Sequence, residues 1–258
     1  MGKVVENIKK TKTQEVSLPV IEIKNLSKSF GDNDVLKGVN LSVNKGEDLI
    51  ILGRSGSGKS VTIKCLVGLV PSDEGEINVF GTDITKSSSK ELNEIRSRIG
   101  FLFQNGALYD SMSVRQNLAF TLKHHDRTIP SDEVEKQIID ALESVGLEDS
   151  IDKMPSELSG GMRKRIGLAR AMIIKPEIML YDEPTSGLDT ITSREITELM
   201  LSIQKKRKTT SIIITHDMAS AKLAGSRIMI LKEGVIIAEG SYDELEKSSD
   251  EWVRSFFT

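Results

Sequence analysis

The apolar residues of this chain alternate with polar ones near its beginning and form continuous runs further along. Val39, Leu41 and Val43 alternate with polar residues, which predicts a half-buried antiparallel strand that pairs with a similar strand at residues 20–23. Continuous apolar runs predict buried strands of a parallel sheet at residues 49–52, 178–181 and 212–214. The pattern therefore predicts an α/β fold with a parallel sheet and an N-terminal antiparallel β subdomain.

Polarity and apolar spacing divide the chain into parts. Residues 1–18 are mostly polar and predict a flexible N-terminal arm. Residues 19–245 are long enough to form one large domain with a substantial core. Within that domain, helical spacing between residues 113 and 146 predicts an inserted helical subdomain at about residues 105–160. Residues 246–258 remain as a short C-terminal tail.

The tail carries three large aromatic side chains, Trp252, Phe256 and Phe257. Clustered apolar side chains at a surface often mark an interaction site, so we expect the tail to pack on a partner or a sister subunit. Packing on its own domain is the alternative, and the sequence leaves both open.

Charge and cysteine content exclude several classes of protein. The 258 residues carry a net charge of −3, which gives no electrostatic argument for nucleic-acid binding. Cys65 is the single cysteine, so a disulfide framework is excluded, and its apolar neighbours predict a core position. The chain has neither the roughly 20 consecutive apolar residues of a membrane span nor the apolar core of a signal peptide. We therefore expect a soluble, cytoplasmic protein.

A glycine-rich loop follows the apolar run at residues 49–52. Its residues are Gly53, Arg54, Ser55, Gly56, Ser57, Gly58, Lys59 and Ser60. Glycines let the backbone turn its N–H groups around phosphate oxygens, and the next helix adds the positive end of its dipole. We predict that Lys59 reaches the β- and γ-phosphates of a nucleotide and that the Ser60 hydroxyl ligates Mg²⁺. An ordinary flexible turn is the alternative for the loop taken alone.

Polar residues with catalytic potential follow three other predicted strands. Asp182 and Glu183 close one buried run, His216 follows a second, and Gln104 follows a third. Open parallel sheets bind ligands at the carboxyl ends of their strands, so these side chains should meet the glycine-rich loop. We predict that Asp182 holds Mg²⁺ and that Glu183 polarises an attacking water. The alternative is a helix N-terminus that simply carries acidic residues.

A second glycine pair opens another predicted helix. Ser159 stands directly before Gly160 and Gly161, and apolar residues at helical spacing follow. Backbone N–H groups exposed there could bind an anion beside the positive end of the dipole. Capping of the helix by the Ser159 hydroxyl is the alternative and requires no ligand.

Taken together and in this order, the motifs resemble those of the ATPase subunits of ABC transporters over residues 20–245. The matching segments are residues 53–60 as Walker A, Gln104 as the Q-loop, 158–162 as the signature, 178–183 as Walker B, 186–189 as the D-loop and His216 as the switch histidine. The resemblance implies a P-loop NTPase core that hydrolyses ATP with Mg²⁺.

The resemblance also implies roles for individual residues. Phe30 matches the aromatic that stacks on adenine, although an aromatic there could equally cap the sheet. Gln104 would contact Mg²⁺ and water, and His216 would sense the γ-phosphate. Val61 stands where threonine is common, which leaves its backbone N–H for the α-phosphate. Met162 replaces a common glutamine, and neither departure touches the hydrolytic residues, so an active enzyme is expected.

The family pattern further implies a head-to-tail dimer in which each ATP lies between the Walker A loop of one subunit and the signature of the other. Ser159, Gly160 and Gly161 would then complete the γ-phosphate shell of the sister subunit. Membrane permease subunits would be the other partners, and they would hold the protein at the cytoplasmic face of the inner membrane.

A finer resemblance concerns the transported molecule. The segment 104–108 and the signature helix at residues 158–165 look like those of the Mla/Mce group, whose ATPases drive phospholipid or other lipid transport with a permease and an MCE lipid-binding protein. The alternatives are a small-solute or lipoprotein-release transporter and an ABC ATPase outside transport. The last is disfavoured because the chain has one cassette and no long coiled-coil arms.

Overall fold

The computed structural model describes residues 18–224 and 227–257. Almost all of the predicted N-terminal arm lies outside these residues. In chain order the strands are β1 (Ile21–Phe30), β2 (Asn33–Val43), β3 (Asp48–Leu52), β4 (Glu74–Val79), β5 (Thr82–Asp83), β6 (Ile99–Leu102), β7 (Ile178–Asp182), β8 (Thr210–Thr215), β9 (Arg227–Lys232) and β10 (Val235–Gly240). The helices are α1 (Lys59–Leu66), α2 (Ser89–Arg96), α3 (Val114–His125), α4 (Ser131–Glu143), α5 (Gly160–Met172), α6 (Thr190–Arg207), α7 (Met218–Ala224), α8 (Tyr242–Glu246) and α9 (Glu251–Arg254).

Two sheets form the framework, and they confirm the predicted fold class. The order β2-β1-β4-β5 makes an antiparallel sheet near the N-terminus. The order β10-β9-β3-β8-β7-β6 makes the second sheet, which is parallel from β9 to β6 and ends in the antiparallel strand β10. The alternating pattern of β2 and the continuous apolar runs of β3, β7 and β8 correspond to these two kinds of sheet.

The parallel sheet separates two apolar cores, because successive side chains of a strand point to opposite faces. Ile50 and Leu52 of β3 join the core that includes the helices α3 to α6. Leu49 and Ile51 join the core between the parallel sheet, α1 and the antiparallel sheet. Cys65 lies in this second core at 1% exposure, and burial raises the pKa of its thiol to about 11.

The helical region between β6 and β7 begins with α3 and α4. Ser113 caps α3 through a reciprocal capping box with Gln116, which fixes where the helix starts. Buried apolar residues at helical spacing on both helices, such as Leu118 and Ile138, pack into the core shared with α5. Over residues 18–224 and 227–257, no helix is both long and apolar enough to cross a bilayer.

The C-terminal tail packs on its own domain. Val253 of α9 is 1% exposed, and Trp252, Phe256 and Phe257 are partly buried against the helical core. The ring of Phe257 meets Tyr242 of α8 edge to face, with 4.9 Å between the ring centroids. The structure therefore places the tail in the arrangement that the sequence left as the alternative to a partner contact.

A candidate nucleotide-binding site

The strand order brings the predicted site residues to one edge of the parallel sheet. Leu52 of β3 pairs with Thr215 of β8, and Asp182 of β7 pairs with Ile214 of β8. Strand β8 therefore lies between the strand before the glycine-rich loop and the strand that ends in Asp182. The three carboxyl ends stand side by side, so the loop, Asp182, Glu183 and His216 share one edge.

Space and dihedral angle both require glycine in the loop between β3 and α1. Gly58 has a φ of +106°, and a Cβ atom there would lie 2.7 Å from the Leu36 side chain and 2.8 Å from the Val35 carbonyl. A Cβ on Gly53 would collide with the Leu231 carbonyl. The backbone can thus curl against β2 and β9, and α1 begins directly after the curl at Lys59.

The Lys59 side chain folds back into the glycine-rich loop and bonds to its main chain. Its side chain is 6% exposed, and Nζ donates to the carbonyl oxygens of Gly53 at 2.7 Å and Arg54 at 3.2 Å. The same Nζ lies 3.3 Å from Oε1 of Glu183. The lysine therefore joins the loop to the end of β7.

Ser60 and Asp182 form the next contact across the sheet edge. The Ser60 hydroxyl donates to Oδ1 of Asp182 at 2.6 Å, although the two residues are 122 positions apart. Asp182 is 4% exposed at the end of β7. A hydroxyl beside a carboxylate is an all-oxygen donor set, which suits Mg²⁺.

Glu183 is held on both of its carboxylate oxygens. Oε1 faces Lys59, and Oε2 lies 2.6 Å from Nδ1 of His216. Glu183 has a φ of +50°, a left-handed backbone that is uncommon for a residue with a side chain. Its N–H donates to the Ile214 carbonyl at 2.9 Å, which ties this bend to β8.

Gln104 approaches the same edge from the end of β6. Its Nε2 donates to the Ser186 hydroxyl at 3.1 Å, in the turn that follows Glu183. Its main-chain carbonyl accepts a hydrogen bond from the buried Lys164 ammonium of α5. Ser186 opens the segment 186–189 identified from the sequence as the D-loop, whereas Lys164 was not predicted to reach the site.

An open cavity of about 690 Å³ lies at this edge of the sheet. Its lining comprises Phe30, Asn33, Val35, Gly53, Arg54, Ser55, Gly56, Ser57, Gly58, Lys59, Ser60, Val61, Gln104, Glu183, His216 and Phe256. Phe30 is the last residue of β1, and 51% of it is exposed. Phe256 comes from the tail and was not predicted to reach this site.

The loop fits a phosphate group by its own geometry. The Ser57 hydroxyl is buried and has no hydrogen-bond partner among residues 18–224 and 227–257. A buried hydroxyl without a partner is costly, and a phosphate oxygen would satisfy it. The glycine curl, the cation of Lys59 and the start of α1 all favour the same anionic group.

The second glycine pair lies away from this cavity. Ser159 caps α5 by accepting a hydrogen bond from the Met162 N–H at 3.2 Å, which is the structural role weighed for it. Gly160 and Gly161 open the helix and lie against Leu188 and Thr192, at the start of α6. None of the three lines the cavity of their own chain.

Comparisons with known proteins agree with this geometry. The family profile described as "ABC transporter" matches residues 36–186. The probable ribonucleotide transport ATP-binding protein mkl of Mycobacterium leprae is 41% identical over 236 residues, which are 92% of this chain and 68% of that protein. The chain belongs to the ABC transporter family of ATP-binding proteins.

Two further relatives extend the comparison of this ABC ATPase. The methionine import ATP-binding protein MetN of Brucella abortus is 39% identical over 229 residues, covering 89% of this chain and 62% of that protein. The chain thus spans about two thirds of the length of these curated relatives. A dimeric structure of the ATP-binding cassette MJ0796, in a post-hydrolysis state with ADP and phosphate, matches with a TM-score of 0.79 and 32% identity over 86% of this chain and 98% of that one.

Membership of the family establishes the class of chemistry. ABC ATPase domains bind and hydrolyse ATP, so this chain is an ATPase with ATP as its nucleotide. The prediction of an ATP-hydrolysing enzyme is therefore confirmed. The roles of single residues and the identity of the transported molecule remain predictions.

Proposed function

We propose that the cavity holds ATP with Mg²⁺ and that the chain is the ATP-hydrolysing subunit of a lipid transporter. One observation carries the ATP site. Lys59, Ser60, Glu183 and His216 line one cavity although they follow three different strands, and the Ser60 hydroxyl donates to Asp182 directly behind it. Phosphoryl transfer depends on positioning and on offsetting charge, and this set of groups suits both tasks.

Binding is assigned to the loop and its neighbours. The N–H groups of residues 53–61 and the Lys59 ammonium would surround the phosphates, with the Ser57 hydroxyl as a further donor. Ser60, Asp182 and Gln104 would hold Mg²⁺, which when bound neutralises charge on the phosphoryl oxygens. Phe30 lies at the rim of the cavity, where its exposed ring can stack on a purine.

Hydrolysis is assigned to Glu183. Its carboxylate would accept a proton as water forms a bond to the γ-phosphorus and the bond to the β-phosphate oxygen breaks, leaving ADP and phosphate. Lys59 and His216 contact one carboxylate oxygen each, so the carboxylate is oriented from both sides. His216 is 62% exposed, which leaves its ring accessible to the γ-phosphate.

A head-to-tail dimer would complete the site. Ser159, Gly160 and Gly161 lie outside the cavity of their own chain, yet Gly160 and Gly161 begin a helix of 13 residues whose N–H groups suit an anion. The relative MJ0796 was solved as a dimer with ADP and phosphate. We therefore assign these three residues to the γ-phosphate in the sister subunit.

An aromatic surface beside Gln104 supports a permease partner. We define it by Phe101, Phe103, Tyr109 and Phe120. Phe101 and Phe103 stack with 4.1 Å between centroids, and the rings of Tyr109 and Phe120 meet edge to face at 5.2 Å. Tyr109 and Phe120 are 46% and 43% exposed. Exposed aromatics of this kind suit a short apolar helix of an integral membrane protein, which would place the ATPase at the cytoplasmic face of the membrane.

The proposal of lipid as the transported molecule rests on the segment 104–108 and the signature helix, which resemble the Mla/Mce group. In this segment Gly106 and Ala107 both have positive φ angles, +72° and +50°, so the backbone turns sharply beside the aromatic surface. We infer that a permease and an MCE lipid-binding protein complete the complex.

A small-solute transporter is the second candidate. The relatives mkl and MetN are named for ribonucleotide transport and methionine import. Those names favour a polar solute, and they make the identity of the cargo the central experimental question.

Co-purification distinguishes the two candidates. A tagged Glu183→Gln variant would be trapped with ATP in the organism that encodes the chain, extracted gently from membranes and analysed for proteins and lipids by mass spectrometry. We expect a permease, an MCE protein and phospholipid in excess of the amount recovered with Lys59→Met, which serves as the control because it lacks the phosphate-binding cation.

Two other outcomes would contradict parts of this proposal. A permease with a solute-binding protein and no enriched lipid contradicts the lipid proposal and supports the second candidate. Ribosomes or chromatin without any permease contradict transport itself.

A further inference from the structure

A buried lysine lies at the junction of three segments of the ATP site. Lys164 stands in the second turn of α5 and is 7% exposed. Its Nζ donates to the main-chain carbonyl of Gln104 and, at 3.3 Å, to that of Glu183. A fully buried lysine is rare unless its ammonium is satisfied, and here two backbone carbonyls satisfy it.

Burial and two nearby carboxylates act on this ammonium in opposite directions. Burial lowers the pKa of Lys164 and outweighs the opposite effect of the negative charges of Glu183 and Asp182. The lysine is therefore placed where its charge complements the two carboxylates without forming a direct ion pair with either in the described residues.

The segment that follows Gln104 contacts α5 a second time, one helical turn beyond Lys164. A Cβ atom on Gly167 would lie 2.9 Å from Cα of Gly106, and one on Gly106 would lie 3.1 Å from the Arg163 carbonyl. Backbones can approach this closely only where both residues are glycine. The segment after β6 is thus held on α5 at Lys164 and again at Gly167.

Glu183 depends on similar support from its main chain. Its left-handed backbone is held by its own N–H bond to Ile214 and by two donors on its carbonyl, Ser186 N–H at 3.1 Å and Lys164 Nζ. Strained backbone persists only where neighbouring contacts over-determine it. Removing Lys164 would release one of those contacts and let the carboxylate move.

We propose that Lys164 is a positioning residue that fixes Gln104 and Glu183 relative to the signature helix. Through one ammonium, the helix that carries Ser159, Gly160 and Gly161 sets the main chain of both residues that face the attacking water. The inference rests on the proposed roles of Glu183 and Gln104 in hydrolysis.

Steady-state kinetics of the purified full chain test this inference. Lys164→Met removes the donors and keeps the length, so we expect kcat to fall by about tenfold or more, as small displacements at a reacting centre do. KM for ATP should stay within about twofold, because the loop contacts that bind phosphate are untouched. Lys164→Gln retains an amide donor and should recover most of the lost kcat.

Controls separate a folding defect from a positioning effect. Lys136 is exposed on α4, and Lys136→Met should leave kcat and KM unchanged. Circular dichroism and the thermal midpoint establish that each variant is folded. If Lys164→Met does not fold, the kcat of Lys164→Gln tests the inference, and it should lie close to the wild-type value. A folded Lys164→Met with normal kcat, or a Gln variant that is as slow as Met, overturns the inference.

A Glu183→Gln variant measured in parallel shows which proposal has failed. If Glu183→Gln turns over normally, the hydrolytic role of Glu183 is wrong. If Glu183→Gln is inactive while Lys164→Met is normal, only the role of Lys164 is wrong.

Discussion

Nδ1 of His216 lies 2.6 Å from Oε2 of Glu183, and this pair joins the ends of two neighbouring parallel strands. The two residues are 33 positions apart, yet each follows directly from a strand whose register places it at the same edge. With Lys59 on its other oxygen, the carboxylate of Glu183 is held on both sides.

Replacing Glu183 by Gln should abolish most of the ATP turnover. The amide cannot accept a proton from water, and general bases of this kind contribute about 10²- to 10⁴-fold, so kcat should fall by at least about 100-fold. The variant should still bind ATP, with a Kd close to that of the wild type when measured by isothermal titration calorimetry. Glu177→Gln is the matched control, since Glu177 directly precedes the opposite end of β7 and pairs with Arg98 at the surface.

His216 and Glu183 should act as one unit. His216→Ala removes the contact on Oε2, and we expect kcat to fall by about tenfold or more, as a small displacement of a group at a reacting centre does. The double variant should be no slower than Glu183→Gln alone, because contacting residues are not additive. Fully additive losses in the four kcat values would contradict the shared role.

Ser60→Ala should weaken the response to magnesium. The Ser60 hydroxyl lies 2.6 Å from Asp182, and its loss removes one oxygen of the proposed ligand set. The Mg²⁺ concentration for half-maximal activity at fixed ATP should rise by about tenfold or more. Ser202→Ala, exposed on α6, should leave that concentration unchanged; an unchanged value for Ser60→Ala would remove Ser60 from the metal site.

Phe256→Ala should lower the affinity for ATP. Phe256 lines the cavity, while its neighbour Phe257 packs on Tyr242 instead. The loss of one aromatic contact of about 0.5–1.5 kcal/mol corresponds to a roughly two- to tenfold rise in Kd. Phe257→Ala is the control, and its Kd should match the wild type. Equal Kd values for both variants would place Phe256 outside the nucleotide contact.

Asp48→Asn should stabilise the fold at neutral pH. Burial raises the pKa of Asp48, although the Ser211 hydroxyl donates to its Oδ1 at 2.5 Å. A raised folded-state pKa favours the protonated form, so its contribution is present at low pH and is lost as the pH rises through the folded-state pKa. A neutral amide removes that loss and retains the oxygen acceptor.

Urea unfolding at several pH values measures this effect. The free energy of unfolding of Asp48→Asn should exceed the wild-type value at pH 7, and the difference should shrink as the pH falls toward the ordinary aspartate pKa of about 3.9. Asp126→Asn is the control of opposite sign, because hydrogen bonds from Thr128 lower the pKa of Asp126. A pH-independent difference for Asp48→Asn would contradict the assignment.

Local pattern alone predicted most of the elements that build the site. The continuous apolar runs of β3, β7 and β8 and the glycine-rich loop are recognisable because burial on both faces and a tight backbone curl constrain residue type at each position. The fold class was predicted from these patterns, and the family and the ATPase activity were predicted from the resemblance carried by the full set of motifs; all three are confirmed.

The contacts between distant segments were decided by the tertiary structure. That β8 separates β3 from β7, that Phe256 returns to the cavity, and that Lys164 reaches Gln104 and Glu183 depend on strand order and packing. A lysine in a run of basic residues has the same local pattern whether it is solvated or buried, so its partners cannot be read from its neighbours. The sequence by itself identified the candidate site residues, since their side chains and local backbone demands are intrinsic. Only the tertiary structure decided how they are held together, because long-range packing sets those distances.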